Sequence, residues 1–285
     1  MNKINAVAKW KVDFRGIIKE YPPEDGWSVN LTKLYDKTFY AMLERENDEG
    51  KDYRFFVKGT DGTDLFRRIN NFSFVPVDFF CKDGDDFITY ILHDPDSMMT
   101  FITNDDMLNE GDLVLIGPMV TSTDITPDGK FVAVYYGAEG GAPTMSVSSE
   151  NDLRNDYSSD CWRRKKTDCL AVHVDGNGVI WINTSDDGNE LLVFRKVMAD
   201  PECVKTEDME FDGFGLSDDE TKLLVCHTTG EETRLFLMEK TDEGYCNERE
   251  VSVNGFDSFE DVSFFRNSAM CRLDGMVYAV DINRL

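Results

Sequence analysis

The sequence has few positive charges for its length. Its 285 residues include 30 Lys and Arg against 55 Asp and Glu, which gives a net charge of −25. A surface of this charge repels nucleic-acid phosphates and anionic membranes, so we expect neither as a direct partner. The same charge favours encounter with basic proteins or peptides.

Targeting and disulfide patterns are missing as well. No apolar segment near the N-terminus is typical of a secretory signal, and no run approaches the roughly 18 apolar residues of a membrane-spanning helix. The seven cysteines are odd in number and scattered, which does not fit a secreted disulfide framework. We therefore expect a cytoplasmic protein with reduced thiols.

Catalytic signatures are also absent. No Gly-x-Ser-x-Gly motif occurs, and the glycine-rich segment 137–143 lacks the Lys-Ser/Thr of a phosphate-binding loop. The three histidines, His93, His173 and His227, do not have the spacing of zinc ligands. These absences favour a protein without catalytic activity.

What the sequence does contain is a repeat. Its best copy, Thr123–Val134, is typical of a strand, a Pro-Asp-Gly turn and a second strand. Similar units recur at intervals of 48, 46, 49, 42 and 46 residues, close to the period of about 40–50 residues of propeller blades. The positions that anchor them are Asn30, Asp78, Asp124, His173, Gly215 and Asp261.

A third apolar strand follows each unit. These strands are predicted at Tyr53–Val57, Met98–Ile102, Thr144–Val147, Leu191–Phe194, Leu235–Met238 and Val277–Val280. The pattern predicts an all-β fold, a β-propeller of about six four-stranded blades in a single domain over 1–285. The blade units start near residues 26, 74, 120, 169, 211 and 257. The last unit lacks a fourth strand, and we expect the segment 1–25, with its alternating stretch Ala6–Phe14, to supply it.

The stretch Thr-Pro-Asp-Gly-Lys at 126–130 resembles the Ser-Pro-Asp-Gly-Lys turn of TolB-like and WD-type propeller repeats. The resemblance extends from about residue 26 onward and implies the propeller fold. The chain departs from the WD pattern, because no Trp-Asp pair ends the third strands and no Gly-His pair opens the blades. Propellers host many functions, so the resemblance assigns no functional residue. It implies a protein-interaction platform, the commonest role of a propeller alone.

A basic segment interrupts the acidic sequence in the long polar connection 148–168. It consists of Trp162, Arg163, Arg164, Lys165 and Lys166. An aromatic side chain beside four cations predicts a binding site for an acidic peptide or a phosphate. Two alternatives are that the segment pairs with the protein's own acidic surface or forms an outer strand.

The anchor positions predict a ring on the innermost strands. Within it, Asp78, Asp124 and Asp261 could together hold a divalent cation such as Ca²⁺ or Mg²⁺, which would activate water. The alternative is that each carboxylate bonds to the backbone of its own blade. A shift of one residue would place the whole set on the other face of the strands.

The leading hypothesis is a non-enzymatic propeller that binds a protein or peptide partner and needs no cofactor. One alternative is a metal-dependent hydrolase or lactonase-like enzyme that uses the acidic ring. A further alternative is an acidic decoy that mimics nucleic acid, or a component of a viral assembly.

Overall fold

Strands of three to ten residues, nearly all paired antiparallel, make up most of the described part of the protein. The computed structural model describes residues 3–13, 15, 26–35, 38–48, 50–59, 64–70, 74–81, 88–94, 96–104, 114–117, 119–125, 130–136, 143–149, 169–184, 190–195, 201–207 and 211–285. The first twelve strands are β1 (Ile4–Ala6), β2 (Trp10–Asp13), β3 (Ser28–Tyr35), β4 (Thr38–Asn47), β5 (Gly50–Gly59), β6 (Asp64–Asn70), β7 (Val75–Cys81), β8 (Ile88–Asp94), β9 (Met99–Asn104), β10 (Val114–Gly117), β11 (Met119–Ile125) and β12 (Lys130–Tyr136).

The remaining strands complete the chain. They are β13 (Pro143–Ser149), β14 (Cys169–Val174), β15 (Ile180–Thr184), β16 (Glu190–Phe194), β17 (Glu202–Lys205), β18 (Gly213–Leu216), β19 (Lys222–Thr229), β20 (Glu232–Thr241), β21 (Gly244–Val253), β22 (Asp261–Phe265), β23 (Ser268–Leu273) and β24 (Met276–Asp281). A short 3₁₀ helix, Ile282–Arg284, ends the chain.

Within each sheet, consecutive strands pair with one another, and among the described strands only β1 and β2 pair with strands far away along the chain. The strand orders are β3-β4-β5-β6, β10-β9-β8-β7, β11-β12-β13, β14-β15-β16-β17, β1-β21-β20-β19-β18 and β2-β24-β23-β22. The prediction of an all-β propeller is confirmed. Within the described residues, five sheets have four strands or more and the sheet β11–β13 has three, so complete four-stranded blades number five rather than about six.

The first strands of the sheets lie side by side around a centre. Strands β11, β14, β18, β22 and β3 contact one another in that order. Asp78 on β7 bonds to both Lys33 on β3 and Thr123 on β11, which places β7 between them and closes the ring. These strands begin at residues 28, 75, 119, 169, 213 and 261, beside the predicted unit starts near 26, 74, 120, 169, 211 and 257.

The N-terminal segment joins two sheets. Strand β2 pairs with β24, with Trp10 opposite Ala279, and supplies the fourth strand of the last sheet as predicted. Strand β1 adds a fifth, parallel strand to the preceding sheet, with Ile4 opposite Val251. The sequence did not predict this second pairing, because three residues are too few to show an alternating pattern.

Local polar bonds explain why the turns fall where the repeat predicts them. In the turn between β14 and β15, the buried Asp175 carboxylate accepts hydrogen bonds from the backbone of Asn177 (2.8 Å) and Val179 (3.1 Å) and from the indole of Trp181 (3.1 Å). Gly178 has a φ of 78°, a left-handed conformation that glycine adopts without strain. The Pro127-Asp128-Gly129 turn of the best repeat copy lies outside the described residues.

Aromatic side chains fill the spaces between neighbouring sheets. Phe55 on β5 meets Phe79 on β7 edge to face, with ring centroids 4.9 Å apart. Trp181 on β15 meets Tyr245 on β21 in the same manner at 6.4 Å. All four side chains are buried, so aromatic packing joins the first sheet to the second and the fourth sheet to the fifth.

A charged contact joins the fourth and fifth sheets near the surface. Arg195, at the end of β16, donates two hydrogen bonds to Glu220 at 2.8 and 3.0 Å, and Lys240 approaches the same carboxylate at 3.4 Å. These bonds, those from Arg195 above all, lower the pKa of Glu220. In the same turn, the Ser217 hydroxyl lowers the pKa of Asp219 to about 2.

Glu220→Gln should reduce stability in a pH-dependent way. Because the folded-state pKa of Glu220 is lowered, its contribution exists above the unfolded-state pKa of about 4.3 and disappears as the pH falls through the folded-state value. We expect a loss of about 1 kcal/mol at pH 7, since the pair is partly exposed, and a smaller loss near pH 3. Urea unfolding at both pH values measures it. Glu232→Gln, at an exposed pair with Arg234, is the control, and an equal loss at both pH values would contradict the prediction.

Candidate functional site

Each innermost strand contributes one residue to a set that we call the inner ring: Lys33, Asp78, Asp124, His173, Gly215 and Phe264. The last four lie one residue before the end of their strands, whereas Lys33 lies two residues and Asp78 three residues before the end. Contacts between neighbouring strands define the set, because Asp78 bonds to Lys33, Asp124 lies beside His173, and Phe264 packs against Gly215. Four of the six agree with the anchors predicted from the sequence. The other two anchors, Asn30 and Asp261, lie three residues too early, and an odd shift along a strand reverses the face of the side chain.

A buried ion pair connects the first two sheets at this level. The Lys33 ammonium lies 2.8 Å from Asp78 Oδ1, and both residues are only 8% exposed. Asp78 Oδ1 also accepts the backbone N–H of Phe79 at 2.8 Å, and Oδ2 accepts the hydroxyl of Thr123. The carboxylate is therefore neutralised and hydrogen-bonded within the protein.

The buried side chain of Asp124 connects the third and fourth sheets. Asp124 Oδ1 accepts the backbone N–H of Ile125 at 2.8 Å, and Oδ2 accepts that of Val174 at 2.7 Å. His173 Nδ1 lies 3.3 Å from the same Oδ2. The ring of His173 is 1% exposed, packs edge-on against Phe214 at 5.7 Å, and leaves Nε2 without a hydrogen-bond partner.

The remaining two positions are apolar. A Cβ atom at Gly215 would lie 2.8 Å from Phe264 Cδ1 and 2.9 Å from Ile282 Cδ1, both closer than real contacts allow. Glycine is therefore needed for the packing of the fifth sheet against the sixth. The inner ring therefore has a polar residue in each of the first four sheets, whereas Gly215 and Phe264 make an apolar contact in the fifth and sixth sheets.

The predicted metal ligands occupy different surroundings. Asp78 and Asp124 lie on neighbouring first strands, whereas the side chain of Asp261 is 45% exposed and approaches Arg272 at 3.9 Å. In the described part of the chain, no three His, Cys, Asp or Glu side chains are grouped so that they could hold a metal ion. The cation site at these three residues stays a prediction.

Divalent cations provide the direct test. We expect Ca²⁺, Mg²⁺, Mn²⁺ and EDTA to leave the melting temperature unchanged, because Lys33 already neutralises Asp78 and backbone N–H groups already occupy both oxygens of Asp124. A cation that binds only the folded state would raise it. Thermal unfolding with each additive measures the shift. A saturable rise that disappears in Asp124→Asn would instead support the metal-dependent hydrolase.

The other residues that the sequence singled out either show no arrangement typical of a reactive site or lie outside the described residues. His93 Nδ1 is 3.4 Å from the Thr100 hydroxyl oxygen. Burial raises the pKa of the Cys226 thiol, next to His227, to about 12, so this thiol is not a reactive nucleophile at neutral pH. The basic segment Trp162, Arg163, Arg164, Lys165 and Lys166 lies outside the described residues.

Exposed apolar side chains gather at one end of the second sheet. The large apolar residues exposed in the described part of the chain are Val7 (83%), Val75 (38%), Val77 (42%), Met98 (51%) and Phe256 (41%). Val75, at the start of β7, pairs with His93 near the end of β8, and Met98 belongs to the turn that follows β8. We call Val75, Val77 and Met98 the second-sheet patch.

Sequence reasoning missed both Lys33 and the second-sheet patch. Lys33 had no common spacing by which to find it, because its strand continues for two residues after it, whereas the strand continues for three residues after Asp78 and for one after Asp124. The patch had no sequence signal either. Apolar residues in strands are usually buried, and only the structure shows which are exposed.

Known structures share the fold. The chain is similar to the beta-propeller domain of the Trilobed protease from Pyrococcus furiosus, with a TM-score of 0.53 and 7% identity over 87% of this chain and 77% of that one. It is also similar to the Dos1 propeller, with a TM-score of 0.48 and 11% identity over 89% and 68% of the two chains. No protein-family model and no curated protein matches the sequence. At 7% identity, the likeness to the first of these structures shows the propeller fold alone.

Among the described residues, no helix has the length and apolar character needed to cross a bilayer.

Proposed function

We propose that this protein is a non-enzymatic interaction module, a propeller that binds a basic protein or peptide partner and needs no cofactor. The observation that carries the proposal is how the buried polar residues of the inner ring are bonded. Its charged groups bond to one another and to the backbone, as Lys33 does with Asp78, so they act as structural links between blades. Polar groups used in this way are not positioned to react with a substrate.

Charge supports the choice of partner. The chain carries −25, so a basic segment gains from long-range attraction, whereas nucleic acid and anionic membranes are repelled and are not expected as direct partners. A closed ring of sheets also presents its loops on a rigid frame, which reduces the entropy lost on binding.

We place this function in the cytoplasm, where thiols stay reduced. Cys226 and Cys271 are buried thiols and Cys246 is a partly exposed one, and none of the three is in a disulfide. Burial raises the pKa of Cys271 as well as that of Cys226, which protects both from oxidation.

Selection from a library of random linear peptides displayed on phage tests the proposal. The bait is the full chain, and an unrelated folded protein of similar negative charge is the control bait. We expect families of peptides with excess Lys and Arg that bind this chain and not the control. Failure to enrich any family beyond the control, or enrichment of neutral and acidic families, would overturn the proposal.

A further inference from the structure

We propose that the second-sheet patch, Val75, Val77 and Met98, is the docking site for a basic linear segment that inserts apolar side chains between its cationic ones. This inference rests on the proposed function and locates its binding surface. Exposed apolar side chains that cluster at one place commonly mark interaction sites.

The patch lies where three strands of the second sheet end together. Val75 opens β7, and Val77 occupies a bulge, because Pro76 and Asp78 pair with consecutive residues of β8 and leave it unpaired. A bulge redirects the side chain away from the regular strand pattern. Val77 is thereby 42% exposed on an innermost strand whose next residue, Asp78, is 8% exposed.

Among the described non-glycine residues with a positive φ, Met98 is the only apolar one. Met98 has a φ of 57°, a left-handed conformation that costs free energy for every residue with a Cβ and is best tolerated by glycine and asparagine. The turn around it is ordered, because Asp94 accepts hydrogen bonds from the backbone of Asp96 at 3.0 Å and from the Ser97 hydroxyl at 2.6 Å. The turn thus holds an apolar side chain in solvent at a position where asparagine would be more stable.

Negative charges flank the patch. The Ser97 hydroxyl lowers the pKa of Asp94, so this carboxylate is ionised at neutral pH, and Asp96 is exposed beside it. Lysine and arginine side chains on either side of an apolar anchor would meet these carboxylates.

The same charges disfavour a second copy of this chain as the occupant. Two copies would each bring a net charge of −25 and would repel one another. A linear basic segment also suits a small patch at the end of one sheet better than a large folded surface does. The occupant is therefore a peptide-like segment of another protein.

The first experiment removes the apolar side chains without disturbing the fold. In the double variant Val77→Thr/Met98→Asn, threonine keeps the β-branched shape and asparagine suits the left-handed position. Val7→Thr is the matched control, because it makes the same change at the most exposed valine, on the N-terminal segment. A synthetic peptide from the family enriched on the full chain is the probe, with fluorescence anisotropy as the readout.

We expect the double variant to bind the peptide about tenfold more weakly and Val7→Thr to bind it as the original chain does. Met98→Asn alone should weaken binding while its melting temperature stays equal or rises, a combination that a purely structural role would not produce. Equal binding by the double variant would overturn the inference and leave the proposed function standing. Absence of any enriched peptide would overturn both.

A second experiment tests the charge. Asp96→Asn should weaken binding and reduce its dependence on salt, because screening acts on the attraction between exposed charges. Asp242→Asn is the control, since Asp242 is an exposed acid in the turn between β20 and β21, at the opposite ends of the strands. Binding that is insensitive to Asp96→Asn would show that the basic side chains do not contact this turn and would overturn the docking site proposed here.

Discussion

Lys33→Met should lower the free energy of unfolding by about 3 kcal/mol, because it leaves the buried Asp78 carboxylate without its cation. Both residues are 8% exposed, and the pair joins the first and second sheets. Methionine has a similar length and volume, so the loss reports the uncompensated charge rather than a cavity. Urea denaturation of the full chain measures the change.

A double-mutant cycle isolates the pair. Asp78→Asn in the Lys33→Met background removes the unpaired charge, and we expect it to restore part of the lost stability. Lys9→Met is the control, since Lys9 pairs with Asp281 near the surface at 3.3 Å with 40% of its side chain exposed, and should cost less than about 1 kcal/mol. If Lys33→Met lowers the free energy of unfolding by no more than Lys9→Met does, the Asp78 carboxylate is solvated by water and the prediction is wrong.

Asp124→Ala should cost about 3 kcal/mol, the second of the two largest expected effects. Its carboxylate accepts the buried backbone N–H groups of Ile125 and Val174, and alanine would leave both unsatisfied. It also removes the group beside His173 Nδ1. Because Asp124 reaches from the third sheet to the fourth, the loss should appear as a lower midpoint of a cooperative transition.

Thermal and urea unfolding measure the effect, with Asp261→Ala as the control. Asp261 is 45% exposed and its nearest cation, on Arg272, is 3.9 Å away, so its loss should be within about 0.5 kcal/mol. Equal losses at Asp124 and Asp261 would contradict the structural role of the ring. The comparison also tests the predicted cation site, because Asp124 and Asp261 would both be ligands of one cation and should then have similar effects on stability.

The inner ring and the second-sheet patch differ in what they offer a partner. The ring groups Lys33, Asp78, Asp124 and His173 are buried and bonded within the protein. The patch residues Val77 and Met98 are 42% and 51% exposed, and Met98 lies in the same turn as Asp94 and Asp96. Stability is therefore expected to depend on the first set and binding on the second, which allows single variants to separate the two properties.

The sequence by itself determined the fold class. Turn residues such as the Asp-Gly-Asn-Gly of 175–178, at intervals close to one blade, appear in the structure as turns between the first two strands of a sheet. The alternating Trp10 and Val12 likewise predicted that the N-terminal segment closes the last sheet, and β2 does so. Both patterns are local, because they depend on backbone conformation and on period-two alternation within a few residues.

Only the tertiary structure decided the composition of the ring and the position of the patch. The sequence placed Asp261 beside Asp78 and Asp124, whereas the position of Asp124, one residue before the last pair of its hairpin, is occupied in β22 by Phe264, three residues further on. Register between blades depends on packing and bulges, which a spacing of 40 to 50 residues does not specify. Exposure of Val77 and Met98 depends in the same way on a bulge and a left-handed turn, and neither leaves a pattern in the sequence.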